Sequence, residues 1–425
     1  MLPDPQADVQ EFRETARAWL AQNLERRSGQ EERSARGLTH RTIEDIATQR
    51  ALQKRVYEAG FAGITWPVEY GGQGLTADHE AAFLDESEPY AMPDMGIAGV
   101  VTIKVCAEVI LRHASEEFKR RHLPKMLSGE EIWVEFFSDS AAGSDLAGVV
   151  TTAVRDGDDW ILNGEKVWSS GAYYADFGLC LARTNWDVAK HKGLTWFAVA
   201  TTQAGVTVEP LREITGDIEF CRETFDDARI PDSERIGEEG SGWQVAQTAL
   251  RFEREASSGS LTTGTKIPRP GPLAPDLVEL ARRAGRSDDS HARQLIAKAH
   301  ADDFASRALG ERLSRMMAAG HPAGGALISY VKLARGIVEP VHAKAAIEIG
   351  GAAAVTWPQG DRLGATFALD YLNSRVTAIA GGTNEIQRNT LGERVLGLPR
   401  EPNVEQQLTF RESQDRARGL SKGQG

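Results

Sequence analysis

Hydrophobic positions in the first 130 residues recur every three to four residues, the period of a helix with one face turned inward. Val9, Phe12, Ala16, Trp19 and Leu20 follow that period and predict an amphipathic helix over 8–24. Helical patterns continue to about residue 127, broken at 66–74 by Pro67 and the pair Gly71-Gly72. That break predicts an ordered loop, serving either a site or packing alone. From Ile132 the texture changes to short runs rich in Val, Thr, Trp, Phe and Ile at 149–154, 160–162, 177–182, 195–200 and 206–208. Asp156-Gly157-Asp158, Asn163-Gly164 and Gln203-Ala204-Gly205 punctuate them, which favours an antiparallel sheet or barrel over alternating strands and helices. After Gly240-Ser241-Gly242 the helical period returns at 243–260, 276–317, 324–349, 362–378 and 384–396. Four prolines between 266 and 275 demand an extended connection. The polar stretch 399–425 is expected to be disordered. The order is therefore helical over 1–130, sheet over 131–240 and helical again over 241–398, an α+β chain.

Composition narrows the possible partners. A chain of 425 residues buries a large core and suggests two or three structural units. A net charge of −12 argues against nucleic acid, whose binders concentrate Lys and Arg on one face. Cys106, Cys180 and Cys221 are far apart and lack CxxC spacing, so neither a metal site nor a disulfide framework is expected, and buried thiols in a reducing compartment are. No basic and apolar leader opens the chain and no run is long enough to span a bilayer, so a cytoplasmic protein without a membrane partner is expected.

Candidate chemistry concentrates in two segments. Ser138-Asp139-Ser140-Ala141-Ala142-Gly143-Ser144-Asp145 follows an apolar run and offers small residues whose N–H groups can approach an anionic ligand. Asn163-Gly164-Glu165-Lys166-Val167-Trp168-Ser169-Ser170 offers an aromatic wall beside two hydroxyls. Alone, either could be an ordinary turn. Together with Trp66-Pro67-Val68-Glu69-Tyr70-Gly71-Gly72-Gln73-Gly74 and Gly381-Gly382-Thr383-Asn384-Glu385-Ile386-Gln387-Arg388-Asn389, they resemble, in order, the acyl-CoA dehydrogenase family. The resemblance spans about residues 6–398. It implies an N-terminal helical domain, a middle β-domain and a C-terminal helical bundle.

The resemblance also implies FAD. Residues 135–144 would lie along the flavin ring and ribityl chain, with Phe137 and Ser138 near the ring and Gly143 and Ser144 near the pyrophosphate or the acyl-CoA phosphates. Trp168, Ser169 and Ser170 would cover the other side of the ring. Donors there matter because they stabilise the charge that a hydride brings. Gly350, Gly351, Gly382, Thr383 and Glu385 match stretches that contact the adenine end of FAD, often across a subunit boundary, although Gly350-Gly351 could equally end a helix. Many relatives carry Arg-x-x-Phe-Gly soon after the first C-terminal helix. Here 261–270 lacks it, so a related, non-identical subunit is expected to supply that anchor.

Desaturating an acyl thioester needs a base for the α-proton while hydride leaves the β-carbon. In many relatives a glutamate directly precedes a Gly-Thr pair, but this position is Gly381. A second group places the glutamate on the first helix of the C-terminal domain, just before an arginine, and Glu253-Arg254 fits. Glu253 is the expected base, Glu255 its competitor, and Arg254 with Ser144 the expected substrate contacts. Ser257, Ser258, Gly259 and Ser260 suggest either a wide pocket for a branched, cyclic or steroid-derived acyl group or close helix packing. The resemblance thus implies an acyl-CoA dehydrogenase forming a trans-2-enoyl-CoA in fatty acid or steroid β-oxidation, a homo- or hetero-tetramer that passes electrons to an electron-transfer flavoprotein. A non-catalytic partner subunit and a flavin oxidase acting on a non-thioester are the other readings.

Overall fold

Asp8 starts the first helix by accepting the amides of Gln10 and Glu11, and α1 (Val9–Asn23) then buries Phe12, Ala16 and Leu20 at the expected spacing. In the computed structural model, residues 8–27, 41–257, 274–356, 362–402, 405 and 407–419 are described. A reciprocal capping box between Thr42 and Asp45 opens α2 (Ile43–Glu58), and α3 (Ala77–Ser87) completes a first core around Phe12, Leu20, Val56, Phe61 and Phe83. Next, α4 (Gly96–Val101) runs through a π-helical turn (Thr102–Cys106) into α5 (Ala107–His113), and α6 (Glu116–Ser128) follows.

The loop at 66–74 is a packing device. Trp66 and Tyr70 are buried in the core formed with α5 and α6, and the Tyr70 hydroxyl donates to Glu116 at 2.8 Å. Gly71 turns the chain at a φ of 87°, and a Cβ on Gly72 would lie 2.2 Å from the Trp66 carbonyl oxygen. Glycine is needed there because the backbones touch.

The middle region is one eight-stranded sheet: β1 (Trp133–Phe136), β2 (Thr152–Asp156), β3 (Asp159–Ser170), β4 (Phe177–Arg183), β5 (Leu194–Ala200), β6 (Val206–Pro210), β7 (Phe220–Pro231) and β8 (Arg235–Ile236). Strand order is β6-β7-β3-β2-β4-β5-β8, with β1 added parallel to β4. Most other pairings are antiparallel, as expected, although β2 also meets β4 in parallel. The long strand β7 has no counterpart among the expected strands. Its inward positions Cys221, Glu223 and Phe225 alternate with outward charges, and the buried Glu223 hides the period of two.

Each sheet face has its own core. One, around Phe136, Trp160, Cys180, Phe197 and Cys221, is closed by Ile46 and Ala98. The other packs Trp133, Leu179, Leu181 and Trp196 against α5, α6 and α7 (Gly242–Ser257). Trp196 Nε1 donates to Gly242 O at 2.7 Å, which pins the start of α7 to the sheet.

The remaining helices are α8 (Ala274–Arg283), α9 (Ser290–Ala318), α10 (Ile328–Gly350), α11 (Arg362–Asn373), α12 (Asn384–Thr390) and α13 (Phe410–Ala417). The expected helix over 276–317 is divided at Gly285, whose φ is 67°, and restarts where Asp289 caps α9. The tail expected to be disordered carries α13. Phe410, 2 % exposed, packs beside Trp186 and under the Arg183 guanidinium, and Arg411 pairs with Asp187 at 2.7 Å. One aromatic anchor and a Thr409–Glu412 capping box suffice to order a segment of polar composition. Among the described residues no helix is long and apolar enough to cross a membrane. The expected connection at 266–275 falls largely outside the described residues.

Gly72→Ala should lower unfolding stability by about 2 kcal/mol or more, because its methyl meets backbone rather than a side chain that can turn away. Gly157→Ala, with open space around it, should cost only about 1 kcal/mol for its positive φ. Chemical denaturation of both variants checks the difference.

Candidate active site

Strand β1 places a carboxylate where its pattern calls for a hydrophobe. Alternation sends Val134 and Phe136 to one core and Trp133, Glu135 and Phe137 towards the other, the layer between the sheet and α7. Glu135 is partly open, yet its Oε1 is fully buried and has no hydrogen-bond partner. On α7, Glu253 follows the buried Ala246 and Ala249 by seven and four residues, so it continues the same inward stripe. Leaving water pushes both carboxyls above the usual range, Glu135 the further, with the charge of Glu253 as its second cause. Arg254 and Lys332 of α10 oppose the shift at Glu253. Cys106, from the π-helical turn, also faces Glu135. Burial first, and then the Glu135 charge, pushes its thiol well up.

Lys332 ties this pair to the C-terminal segment. Its ammonium donates to the Thr377 carbonyl, and Asn384 donates to Gly336 O, one turn further along α10. Residues 377–384, including Gly381, therefore lie against the stretch of α10 that faces Glu253. Gln387 Nε2 donates to Gly381 O and Gly382 O, Thr383 caps α12 through the Ile386 amide, and Glu385 is exposed beside Arg388. Gly350 and Gly351 are elsewhere: they end α10, roughly 27 Å from Lys332 along the helix axis. A Cβ on Gly350 would strike Leu280 and Ala354, so that glycine serves close packing, while Gly351 turns the chain at a φ of 50°.

The two segments singled out by their chemistry do meet. Val167 N donates to Ser138 O at 3.0 Å, and the buried Lys166 ammonium donates to Phe137 O at 2.7 Å. Asp139 holds the loop by accepting the amides of Ala141, Val150 and Thr151. A bulge between Val167 and Ser169 puts Trp168 at a φ of 74°, costly for a non-glycine residue, and leaves its indole 61 % exposed, in edge-to-face contact with Phe220. The Ser169 hydroxyl donates inward to Glu223 at 2.9 Å, so that side chain is turned from the cleft. Ser170 is half-buried, and Gly143 and Ser144 are exposed, Gly143 with open space where a Cβ would stand.

Arg254 opens on a different space, a cavity of about 420 Å³ also lined by Arg251, Arg394, Gln247, Ser329 and Thr390. Three guanidiniums on one cavity of an acidic chain suit a polyanion. Ser258–Ser260 and the segment 261–270 lie outside the described residues, as do the side chains of Glu255 and Ser257. Glu135 enters the sequence reading only as the first residue of the 135–144 stretch, and Lys332 not at all. The available signal for Glu135 was a charged residue at an inward position of the run Trp133-Val134-Glu135-Phe136-Phe137.

Comparison with known proteins decides what this arrangement belongs to. Models of the acyl-CoA dehydrogenase N-terminal, middle and C-terminal domains match residues 6–130, 136–228 and 240–396. The acyl-CoA dehydrogenase IpdE1 of Mycobacterium tuberculosis is 36 % identical over 403 residues, covering 93 % of this chain and 99 % of the relative. The chain belongs to the acyl-CoA dehydrogenase family. Among solved structures, the steroid acyl-CoA dehydrogenase Tcur3481-Tcur3483 matches with a TM-score of 0.71 and 27 % identity, over 94 % of this chain and 100 % of that one. The ChsE4-ChsE5 complex of Mycobacterium tuberculosis matches at 0.68 and 27 %, over 94 % and 100 %. The protein is thus an acyl-CoA dehydrogenase, a flavin-dependent oxidoreductase of α+β fold. In this dehydrogenase the exposed Trp168 indole and the open space at Gly143 fit a flat ring with an anionic tail.

Behind that wall, burial pushes the Glu223 carboxyl up to about 8. The folded chain holds this proton across a window in which the unfolded chain, ionising near the ordinary 4.5, has released it, so stability falls as pH rises. Relative to wild type, Glu223→Gln should gain on the order of a few kcal/mol between pH 5 and pH 8. Thermal melts across that range check the trend.

Proposed function

We propose that this dehydrogenase removes the α-proton of an acyl-CoA thioester with Glu253 and forms a trans-2-enoyl-CoA. The observation that carries this reading is the placement of Glu253 on the inward stripe of α7. There it is partly buried, with Lys332 near enough to favour its ionised form. A carboxylate without full hydration is a stronger base, and Arg254 and Lys332 favour its ionised form. When bound, FAD supplies the hydride acceptor. Phe137 and Ser138 would hold the ring on one side and Trp168, with the backbone of Ser169 and Ser170, on the other; Gly143 and Ser144 would meet phosphate oxygens. Arg254 and its neighbours Arg251 and Arg394 would hold anionic parts of the substrate.

Two observations support an assembly of this chain with another. Gly350 and Gly351 are too far along α10 from Lys332 to serve the same site as Gly382, Thr383 and Glu253, so any cofactor they touch would belong to a neighbouring subunit. Phe304 on α9 and Ile337 and Val341, one turn apart on α10, are exposed apolar side chains that a further chain would cover. The absence of Arg-x-x-Phe-Gly from 261–270 makes that neighbour a non-identical subunit in this reading, and the Tcur3481-Tcur3483 and ChsE4-ChsE5 likenesses agree with it. The Tcur3481-Tcur3483 likeness also favours a steroid-derived acyl group, and an electron-transfer flavoprotein is the acceptor in this reading.

Glu253→Gln should keep the flavin absorption spectrum while slowing its anaerobic bleaching by acyl-CoA about 10²–10⁴-fold. Stopped-flow absorbance makes the measurement, and bleaching at the wild-type rate would remove Glu253 from the role of base.

A further inference from the structure

The proposed reaction gives α13 no role, yet the helix is docked by specific contacts. Its first amides bond to the connection between β4 and β5: Phe410 N donates to Val188 O at 2.8 Å and Arg411 N to Trp186 O at 2.9 Å. Phe410 thereby lies under Arg183, its ring centre 3.5 Å from the guanidinium carbon. Arg183 is fully buried and donates to three carbonyl oxygens, Ala147 O at 2.6 Å, Val149 O at 3.1 Å and Lys190 O at 3.1 Å. A guanidinium is a planar fork, so an aromatic ring on its face fixes the plane in which those donors point. Two of the three acceptors belong to the short turn Leu146–Gly148 and the residue after it, directly beyond the loop 138–145. Gly148 N donates to Asp145 O at 2.7 Å, and the Lys190 ammonium donates to both Asp145 carboxylate oxygens at 2.9 and 3.0 Å. Asp139 pins the other end of the loop through the Val150 and Thr151 amides. Gly143 and Ser144, both exposed, are strung between these anchors.

We propose that α13 is a positioning element for this loop: Phe410, by fixing the Arg183 fork, holds the Leu146–Gly148 turn and so sets where the Gly143 and Ser144 amides point. This rests on Gly143 and Ser144 meeting phosphate oxygens, whether those of FAD or those of acyl-CoA. Phe410 and Arg183 are positioning residues, acting on the ligand only through the turn. A cradle of small residues has little side-chain bulk to keep its own shape, so its amides converge on an anion only while both flanks are fixed. Phosphates are remote from the reacting carbons. Loosening the cradle therefore weakens ground state and transition state alike, which lowers affinity and spares turnover.

Phe410→Leu in the assembled, flavin-loaded enzyme tests this, because leucine keeps an apolar side chain under Arg183 and removes the ring face. Hydrogen exchange read by mass spectrometry should speed up about fivefold over 141–149 and stay unchanged in β3 and β4. The KM for acyl-CoA should rise about tenfold if the loop holds a CoA phosphate, or the dissociation constant of FAD should rise by that factor if it holds the flavin pyrophosphate, with kcat within about twofold in either case. Arg411→Asp, which sets a like charge against Asp187 at the exposed rim and touches no core residue, should move the same quantities about threefold. Unchanged exchange over 141–149, exchange that accelerates equally in the strands, or a fall in kcat with both affinities kept would overturn the proposal. Gly143→Asp separates it from the reading beneath it, since the new carboxylate stands in open space at the loop tip and should repel a phosphate. If Gly143→Asp weakens FAD or acyl-CoA and Phe410→Leu weakens neither, the role of α13 falls alone. If Gly143→Asp weakens neither ligand, the phosphate reading falls and takes the role of α13 with it.

Discussion

Everything at this active site depends on putting carboxyl groups into a layer that excludes water. Moving a charged group out of water costs several kcal/mol unless it is paired or protonated. The sheet–helix layer between β1 and α7 contains Trp133, Phe137, Trp196, Ala246 and Ala249, and the partly buried Glu135 and Glu253 stand on the strand and helix that border it. The chain meets the cost unequally. Arg254 and Lys332 favour the ionised form of Glu253, while Glu135 is left with burial and a like charge. In the proposed reaction these cations would let Glu253 ionise and then take up the α-proton.

The fold serves this layer from both sides. Trp196 fixes the start of α7 on the sheet, so the helix stripe that ends in Glu253 is aimed at β1. The loop after β1 is held by Asp139, and the bulge in β3 turns Trp168 outward beside it. Behind the wall, the buried Lys166 and Arg183 donate to backbone carbonyls and Ser169 donates to one oxygen of the buried Glu223, a polar scaffold that fixes the backbone without entering the cleft. On the far side α10 brings Lys332 and the Gly381 segment to Glu253 and carries Gly350 and Gly351 away.

Much of this was legible in the residues alone because the strongest signals are periodic. The helix-sheet-helix order and the buried face of α1 follow from spacing, and the meeting of the 138–145 and 163–170 segments follows from ordered motifs. What escaped has local physical reasons. The strand β7 is disguised by the buried Glu223 and by charges at its outward positions. The helix α13 rests on one aromatic, Phe410, in a polar segment whose composition suggests no core. Glu135 was visible as a charge within an apolar strand, but its meaning depends on α7 and α10 arriving from over a hundred residues away. The boundary between α8 and α9 turned on the positive φ of Gly285.

The most direct measurement is the position of a bound acyl-CoA in a structure of this chain assembled with its flavin and partner subunits. The account predicts the α-carbon within about 3.5 Å of the Glu253 carboxylate, a near-attack distance, with the flavin on the opposite face of the Cα–Cβ bond. An α-carbon out of reach of Glu253, or one seated against a different carboxyl, would contradict it.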